Sequence, residues 1–550
     1  MTALNELCRK FFFWLAERQP VHIVVFAFCL VVFYTILALI INPVYTRDAS
    51  EYVALVEAFR QGAYDRAFPK HLPVLYTVFA GVVAKCGILN AVRSLVLISG
   101  FATALAVFPL FGILKKFAAP QHAALGALLF ILFPKVIDCG VSPLLDSGRF
   151  LFFLTALWLI FSETKEFKCF RLLFLGIIYA CLALVRAEGI LWIFVLMLIH
   201  AVFVWHETKE KTLSSRALRL FAVIFLPLFV CSVFVSPRLI QMYHLTGYPV
   251  VDSRQSNAWK GFTRDFTDQK LARDVVRSPQ TSGAVQKKMQ KIVSYENDGG
   301  SGAISSDISR ILRQPRFYKN FVQSFFYLYL PFTVLGLLCY AYQKKFTFKL
   351  KILLLSILLY NLLYFLLRAA AGRYLLLNVC LAMPFTLFGV EVVWNNLNKY
   401  FSQAYLLLIP IGIGGIFTCC YSMKHMDEKP YECFKTASKY FSNFSKRNLK
   451  VARPVVLLVG ADRGLGYYSD VNVIWYSKLG LNQRQRISDI AEQGVETIYA
   501  QYWTRKEMPS RVHVDYVVVD NKNCRQELDE CRKLFHESYD EGRLTVFPVF

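Results

Sequence analysis

The sequence predicts a mainly α, polytopic membrane protein with a small α/β region at its C-terminal end. Three observations carry this expectation. Of the 550 residues, 56% are apolar, and the mean hydropathy is +0.41, more than a soluble core requires. Apolar runs of roughly 12 to 22 residues, most of them about long enough to cross some 30 Å of hydrocarbon, recur through most of the chain. From about residue 422 onward the pattern changes to short β-rich runs alternating with polar helical sequence.

In chain order the runs fall at 21–41, 95–113, 123–137, 150–161, 217–235, 321–342, 350–367, 374–394 and 405–421. Between 172 and 205 the run is about twice as long and is interrupted by Arg186-Ala187-Glu188-Gly189, which predicts two short helices meeting at a charged apex. Arms of about a dozen residues reach only about 18 Å, so the apex stops inside the membrane and implies a cavity. An Arg186–Glu188 ion pair stapling the hairpin explains those charges as well as a substrate role does.

The first run follows a basic segment and lacks a small-residue cleavage pattern, so it reads as an anchor. If it runs outward, the basic residues of the short loops share the opposite, cytoplasmic side: Arg9, Lys10 and Arg18; Lys115 and Lys116; Lys165, Lys168 and Arg171; Lys209, Lys211, Arg216 and Arg219; Lys344, Lys345, Lys349 and Lys351. The apolar stretch 72–84 is short, and counting it as a span would turn every later loop around. It is therefore expected as a juxtamembrane or re-entrant helix, giving about eleven spans with an extracytoplasmic C-terminus. The inner-membrane module is expected over 1–421, with outer loops at 43–92 and 237–320, and the extracytoplasmic α/β domain over 422–550.

Part of the net charge of +24 is this inward lysine. The remainder lies on outward pieces, where Arg47, Arg60, Arg66, Lys70, Arg149, Arg186, Arg368 and Arg373 run against the positive-inside tendency. Anionic headgroups or phosphates are the partners this implies, and nucleic acid is not among them.

The first outer loop concentrates the chemistry. Tyr52, Leu55, Val56 and Phe59 are spaced as one apolar helix face, and Gly62 offers a left-handed stop. Asp48 precedes Tyr52 by one turn, and Lys70, His71 and Pro73 follow the helix. A capping box of Asp48 with Glu51 accounts for the acids equally well. A second outer loop carries Pro134, Lys135, Asp138, Pro143, Asp146 and Arg149. Its prolines, with Gly140 and Gly148, predict non-helical backbone, and an N-cap of the next helix is the plain alternative to a functional role for Asp146.

The long polar stretch 237–319 is net basic and contains a Gly-rich joint at 297–302, with Trp259, Phe262, Phe266 and Tyr295 as aromatic handles, the composition of a lid. Arg368 and Arg373 bracket a late outward turn and are equally suited to bidentate phosphate contacts or to interfacial anchoring.

No zinc-type cysteine spacing occurs. Cys524 and Cys531 are candidates to pair in an oxidising compartment, although a regular helix would hold them too far apart. Strands are expected at 454–459, 495–500, 516–519 and 544–547. The glycines of 460–466 lack dinucleotide-fingerprint spacing and read as a turn.

Taken in order, Asp48 with Tyr52, then Lys70, His71 and Pro73, then Asp146, then Arg186 to Gly189, then Gly372-Arg373-Tyr374, the chain resembles the GT-C glycosyltransferases. Within them it resembles the family of protein O-mannosyltransferases and the aminoarabinose transferase of lipid A. The resemblance covers about residues 15–394 and rests on the order of these features, since no single motif is specific.

It implies transfer of a sugar from a polyprenyl (undecaprenyl) phosphate donor to a lipid A, glycan or protein acceptor at the outer face of the inner membrane. Asp48 would be the general base. Lys70, His71, Arg373 and Arg186 would neutralise the departing phosphate, with Tyr52, Arg149 and Tyr374 lining the donor site. Many relatives place glutamate directly after the first acid. Here Ala49 stands in that position, which leaves the second acid between Glu51 and Asp146.

No cofactor is implied beyond a divalent cation that an acid pair would accept, and no carboxylate-rich cluster stands out. The competing class is a transporter or flippase for lipid-linked sugars. No inverted repeat is evident, and long outer segments fit an enzyme better.

Overall fold

The computed structural model describes residues 19–41, 47–68, 74–162, 169–186, 188–208, 212–246, 249–251, 326–343, 347–366 and 377–400, with separate strands and one helix between 455 and 548. The first part is helical throughout: α1 Pro20–Ile41, α2 Arg47–Arg60, α3 Tyr64–Ala67, α4 Leu75–Lys85, α5 Ala91–Leu114, α6 Pro120–Ile131 and α7 Pro134–Val141. It continues through α8 Asp146–Phe161, α9 Cys169–Val185, α10 Gly189–Glu207, α11 Leu213–Thr246, α12 Phe326–Tyr342, α13 Phe348–Leu366 and α14 Leu377–Tyr400.

Among the described residues four helices are long and apolar enough to cross a membrane, α1, α5, α10 and α11, or five if the bent pair α6 and α7 is one span. The chain is a multi-pass membrane protein. The run at 405–421 lies outside the described residues. The stretch expected to be short is α4, with 11 residues. At 1.5 Å per residue it covers about 16 Å, half of what a span needs.

The segment 123–137, expected as one helix, is two: α6 stops at Ile131 and the chain bends by 66° into α7. Nor is the following loop largely non-helical. Pro134 sits at the start of α7, where its missing N–H costs nothing, and only residues 142–145 leave the helical state. Its glycines serve close packing: a Cβ on Gly140 would meet the Thr103 side chain, and one on Gly148 would touch Val185.

The polar stretch beginning at 237 starts later than expected, because α11 runs on to Thr246 through Pro227 and Pro237. Arg238 anchors this end: its Nε donates to the Val251 carbonyl at 3.1 Å and its Nη1 to Gln241 Oε1 at 2.7 Å. The rest of the lid-like stretch lies outside the described residues.

Helices α12 and α14 approach most closely where Gly336 and Gly389 face each other. A Cβ on either would strike backbone of the other helix, the small-residue contact that membrane helices use in place of a hydrophobic drive. The hydroxyls of Thr333 and Thr386 meet at 2.7 Å beside it. The main core centres on α5, α8, α9 and α10, with Trp192 stacked on Tyr360 at 4.5 Å.

Near the C-terminal end the runs expected at 454–459, 516–519 and 544–547 are strands, whereas 495–500 is not a single strand: residues 495–496 and 500 belong to two strands in different sheets. β1 Val455–Val459, β2 Asn472–Trp475, β4 Ala500–Gln501, β6 Tyr516–Asp520, β7 Tyr539–Glu541 and β8 Leu544–Pro548 form one sheet in the order β4-β2-β1-β6-β8-β7. The contacts of β1 with β2 and β6 are parallel, and the outer ones are antiparallel. β3 Val495–Glu496 and β5 Arg511–Val512 pair separately. Helix α15, Arg525–Leu534, carries the buried Cys531. Cys524 and the glycines of 460–466 lie outside the described residues.

Candidate active site

Helix α2 ends as its sequence predicts. Gly62 has φ 76°, its N–H bonds the Phe59 carbonyl at 3.0 Å, and Ala63 N–H bonds the Ala58 carbonyl at 2.9 Å. This is the paired closure of a Schellman motif. Of the expected stripe Leu55 and Val56 are buried, with Ala49 and Val53 beside them, while Tyr52 and Phe59 are half-buried at its edge. Helix α4 brings small residues against α2. Gly81 leaves the space that the Phe59 ring fills.

That stripe ties α2 to everything around Asp146. Ala49, Val53 and Val56 belong to one cluster with Tyr76, Ala80 and Ala84 of α4, Val92, Leu95 and Val96 of α5, Leu144 and Leu145 just before Asp146, and Val185 just before Arg186. Tyr52 packs against the same cluster. Three segments that are distant in sequence are thus held by apolar contact, and their charged ends follow. The Tyr76 hydroxyl donates to the Leu95 carbonyl at 3.2 Å and is flanked by Ser147, Asp146 and Tyr52.

Asp146 is not an N-cap. The cap of α8 is Leu145, without a side-chain bond, and Asp146 is the first residue of the helix. Its carboxylate Oδ1 instead accepts from Arg186 Nη1 at 2.8 Å and lies 3.3 Å from Arg149 Nη2. Asp146 is 1% and Arg149 0% exposed, so both charges are out of water and need each other.

Arg186 turns its Nε to Glu188 Oε2 at 3.2 Å. Burial pushes the Glu188 carboxyl up, but the charge and hydrogen bond of Arg186, a backbone bond and the more distant Arg149 outweigh it and hold it at about 2. Two acids and two guanidinium groups therefore alternate along one chain of contacts, Arg149–Asp146–Arg186–Glu188.

The apex is built by backbone. Gly189 N–H bonds the Arg186 carbonyl at 2.9 Å, and a Cβ on Gly189 would run into the Leu182 carbonyl. Its arms of 17 and 19 residues are longer than the dozen anticipated, and its charges are buried because α8 lies across the apex and receives them.

Of the residues singled out in the sequence, the fold brings together Tyr52, Asp146, Arg149 and Arg186. Residues 48 and 51 stand near the start of α2, which begins at Arg47, at helical spacing from Tyr52. Lys70, His71, Arg373 and Tyr374 lie outside the described residues. Tyr76 and Ser147 were missed. The only signal was a phenol inside a short apolar run and a hydroxyl beside an acid. Among the described residues no group of three His, Cys, Asp or Glu side chains is placed to hold a metal.

The fold of this helical body is similar to that of solved GT-C glycosyltransferase structures. Solved structures with this fold include the oligosaccharyltransferase AglB from Archaeoglobus fulgidus, in complex with an inhibitory peptide and a dolichol-phosphate. It is 14% identical, with a TM-score of 0.56 over 93% of this chain and 71% of that one.

A second structure of the A. fulgidus oligosaccharyltransferase, with zinc and sulfate, matches at 13% identity and TM-score 0.51, over 90% of this chain and 68% of that one. ArnT from Cupriavidus metallidurans in the apo state matches at 10% identity and TM-score 0.55, over 96% of this chain and 98% of that one. By sequence, no family model and no curated protein matches.

Proposed function

We propose that this protein is a glycosyltransferase of the cell envelope, moving a sugar from a polyprenyl phosphate donor to a lipid A, glycan or protein acceptor at the outer face of the inner membrane. The observation that carries the reading is the packing of α2, the helix of Asp48, directly on the segments that present Asp146 and Arg186. The fold supports it, since AglB adopts the same fold and has been solved with a dolichol-phosphate.

In this reading residues 1–421 are the catalytic module and 422–550 an extracytoplasmic α/β domain. Asp48 takes the proton of the acceptor hydroxyl, whose oxygen then bonds the anomeric carbon as the bond from that carbon to the lipid phosphate breaks. Charge grows on the phosphate oxygen, where fixed cations contribute most. Lys70, His71 and Arg373 are assigned to it, with Tyr374 beside them.

Arg186 and Arg149 are already balanced by Asp146 and Glu188. Held in place by these carboxylates, they line the donor site with Tyr52. Asp146 is engaged by both guanidinium groups, which favours Glu51, one turn from Asp48, as the second acid. Asp48 and Glu51, the acid pair on α2, are the residues assigned to a divalent cation.

The decisive assay uses purified protein and labelled polyprenyl phosphate sugar. Release of free polyprenyl phosphate with a glycosylated acceptor is expected. Donor that crosses a bilayer intact would make the protein a flippase instead.

A further inference from the structure

At the end of the helical body opposite Asp146, four cations converge, with no acid between them among the described residues. Helix α8 carries the chain from Asp146 to Phe161, about 24 Å at 1.5 Å per residue. At that far end Lys115 and Lys116 follow α5, Arg171 stands in the first turn of α9, and Lys349 in the first turn of α13. Three separate chain segments meet there. Partial burial and, after it, the nearby charges of Lys349, Arg171 and Lys115 hold the Lys116 ammonium below its ordinary value. Among the described residues none of the four has a carboxylate partner.

The floor beneath them is aromatic and continuous. Phe117 meets Phe161 edge-on at 5.6 Å, Phe161 meets Phe203 at 6.1 Å, and Lys349 Nζ stands 5.9 Å from the Phe203 ring. Arg171 is held by a 2.7 Å bond from its Nη1 to the Ser162 carbonyl. That bond keeps its charge at the cluster instead of letting it swing into solvent. On the outer flank of α9 beside Arg171, Phe170 is 79% exposed, and Leu173 and Phe174 are exposed below it.

Lysines that serve only to orient a membrane protein need not gather, and repulsion spreads them apart. Gathered cations over an apolar floor, open on one side to a lipid-facing apolar strip, form a receptor for an anion that carries hydrocarbon. We infer that this cluster binds the phosphodiester headgroup of an anionic membrane lipid, with acyl chains lying along Phe170, Leu173 and Phe174. It is a site distinct from the Asp146 centre and independent of the activity proposed above.

Native mass spectrometry of the full-length protein from micelles containing phosphatidylglycerol or phosphatidylcholine tests it. Phosphatidylglycerol should be retained in preference, and Lys116→Ala should weaken retention about fivefold, at roughly one surface lysine's worth of attraction to anionic lipid. Lys116→Arg should retain it. Lys351→Ala, an equal loss of charge on another face of α13, should leave it unchanged.

Lysine acetylation of the unmodified protein is a second measurement that depends on no variant, and phosphatidylglycerol should protect Lys116 and Lys349. Equal retention of the two lipids, or an equal loss in Lys351→Ala, would overturn the inference. So would inorganic phosphate protecting these lysines as well as the lipid does, which would assign the cluster to a soluble anion.

Discussion

Arg186 Nη1 donates to Asp146 Oδ1 at 2.8 Å across 40 positions of sequence, closing a buried contact between the head of α8 and the apex of the α9–α10 hairpin. Arg186 is 8% exposed, and Arg149 completes the contact from one turn along α8. Removing one charge from such a group strands the others, at a cost of about 3 to 5 kcal/mol.

Asp146→Ala is therefore expected to lower stability by that amount, and so is Arg186→Ala. The double variant should lose clearly less than their sum, because neighbours in one network do not add. Thermal unfolding in detergent measures all three, and strict additivity would mean that the two side chains do not depend on each other.

Glu188 makes the same contact sensitive to acid. Its carboxyl is held at about 2 against an ordinary 4.5, so the unfolded chain binds the proton first as pH falls. The stabilisation is fully present above about pH 4.5 and is lost as pH drops toward 2. Melting curves between pH 6 and 2 should show this loss in the parent protein and a shallower dependence in Glu188→Gln.

Gly189 is predicted to be irreplaceable even by alanine. A methyl group there meets the Leu182 carbonyl, which is backbone and has no rotamer to yield. Gly189→Ala should melt at lower temperature and, by shifting Arg186, lose part of the pH dependence assigned to Glu188. Gly62→Ala supplies the contrast. Its position is open, and only its positive φ resists the change, so a loss of about 1 kcal/mol is expected there.

The proposed base is tested by Asp48→Asn. Asparagine is tolerated near a helix start about as well as aspartate, so expression and melting temperature should hold. Transfer should fall about a hundredfold or more with loss of the proton acceptor. A variant that turns over normally would return Asp48 to a structural role and make Glu51 the next residue to test.

Lys70→Ala and Arg373→Ala are expected to weaken donor binding while leaving folding intact. A charge-assisted bond to phosphate contributes roughly 1.5 to 3 kcal/mol, readable as a rise of tenfold or more in the dissociation constant for polyprenyl phosphate. Unchanged affinity in both variants would leave them as interfacial anchors.

Much of the helical body was legible from sequence alone, because its signals are local. A run of apolar residues must bury or meet lipid, Gly62 has few conformations open to its neighbours but many to itself, and four charged or small residues inside an apolar run must break it. These rules placed α1, the stop of α2, the short α4, the Arg186 apex and the strands β1, β6 and β8.

What tertiary structure decided was which charges meet. Whether Asp146 capped its own helix or reached another depended on α9 and α10 folding back across α8, and on the cluster of Val53, Val56, Leu145 and Val185 that presses α2 onto both. Sequence spacing carries no record of such contacts. An apolar residue reads the same whichever partner it finds, while a buried carboxylate is defined by the one or two cations the fold delivers to it.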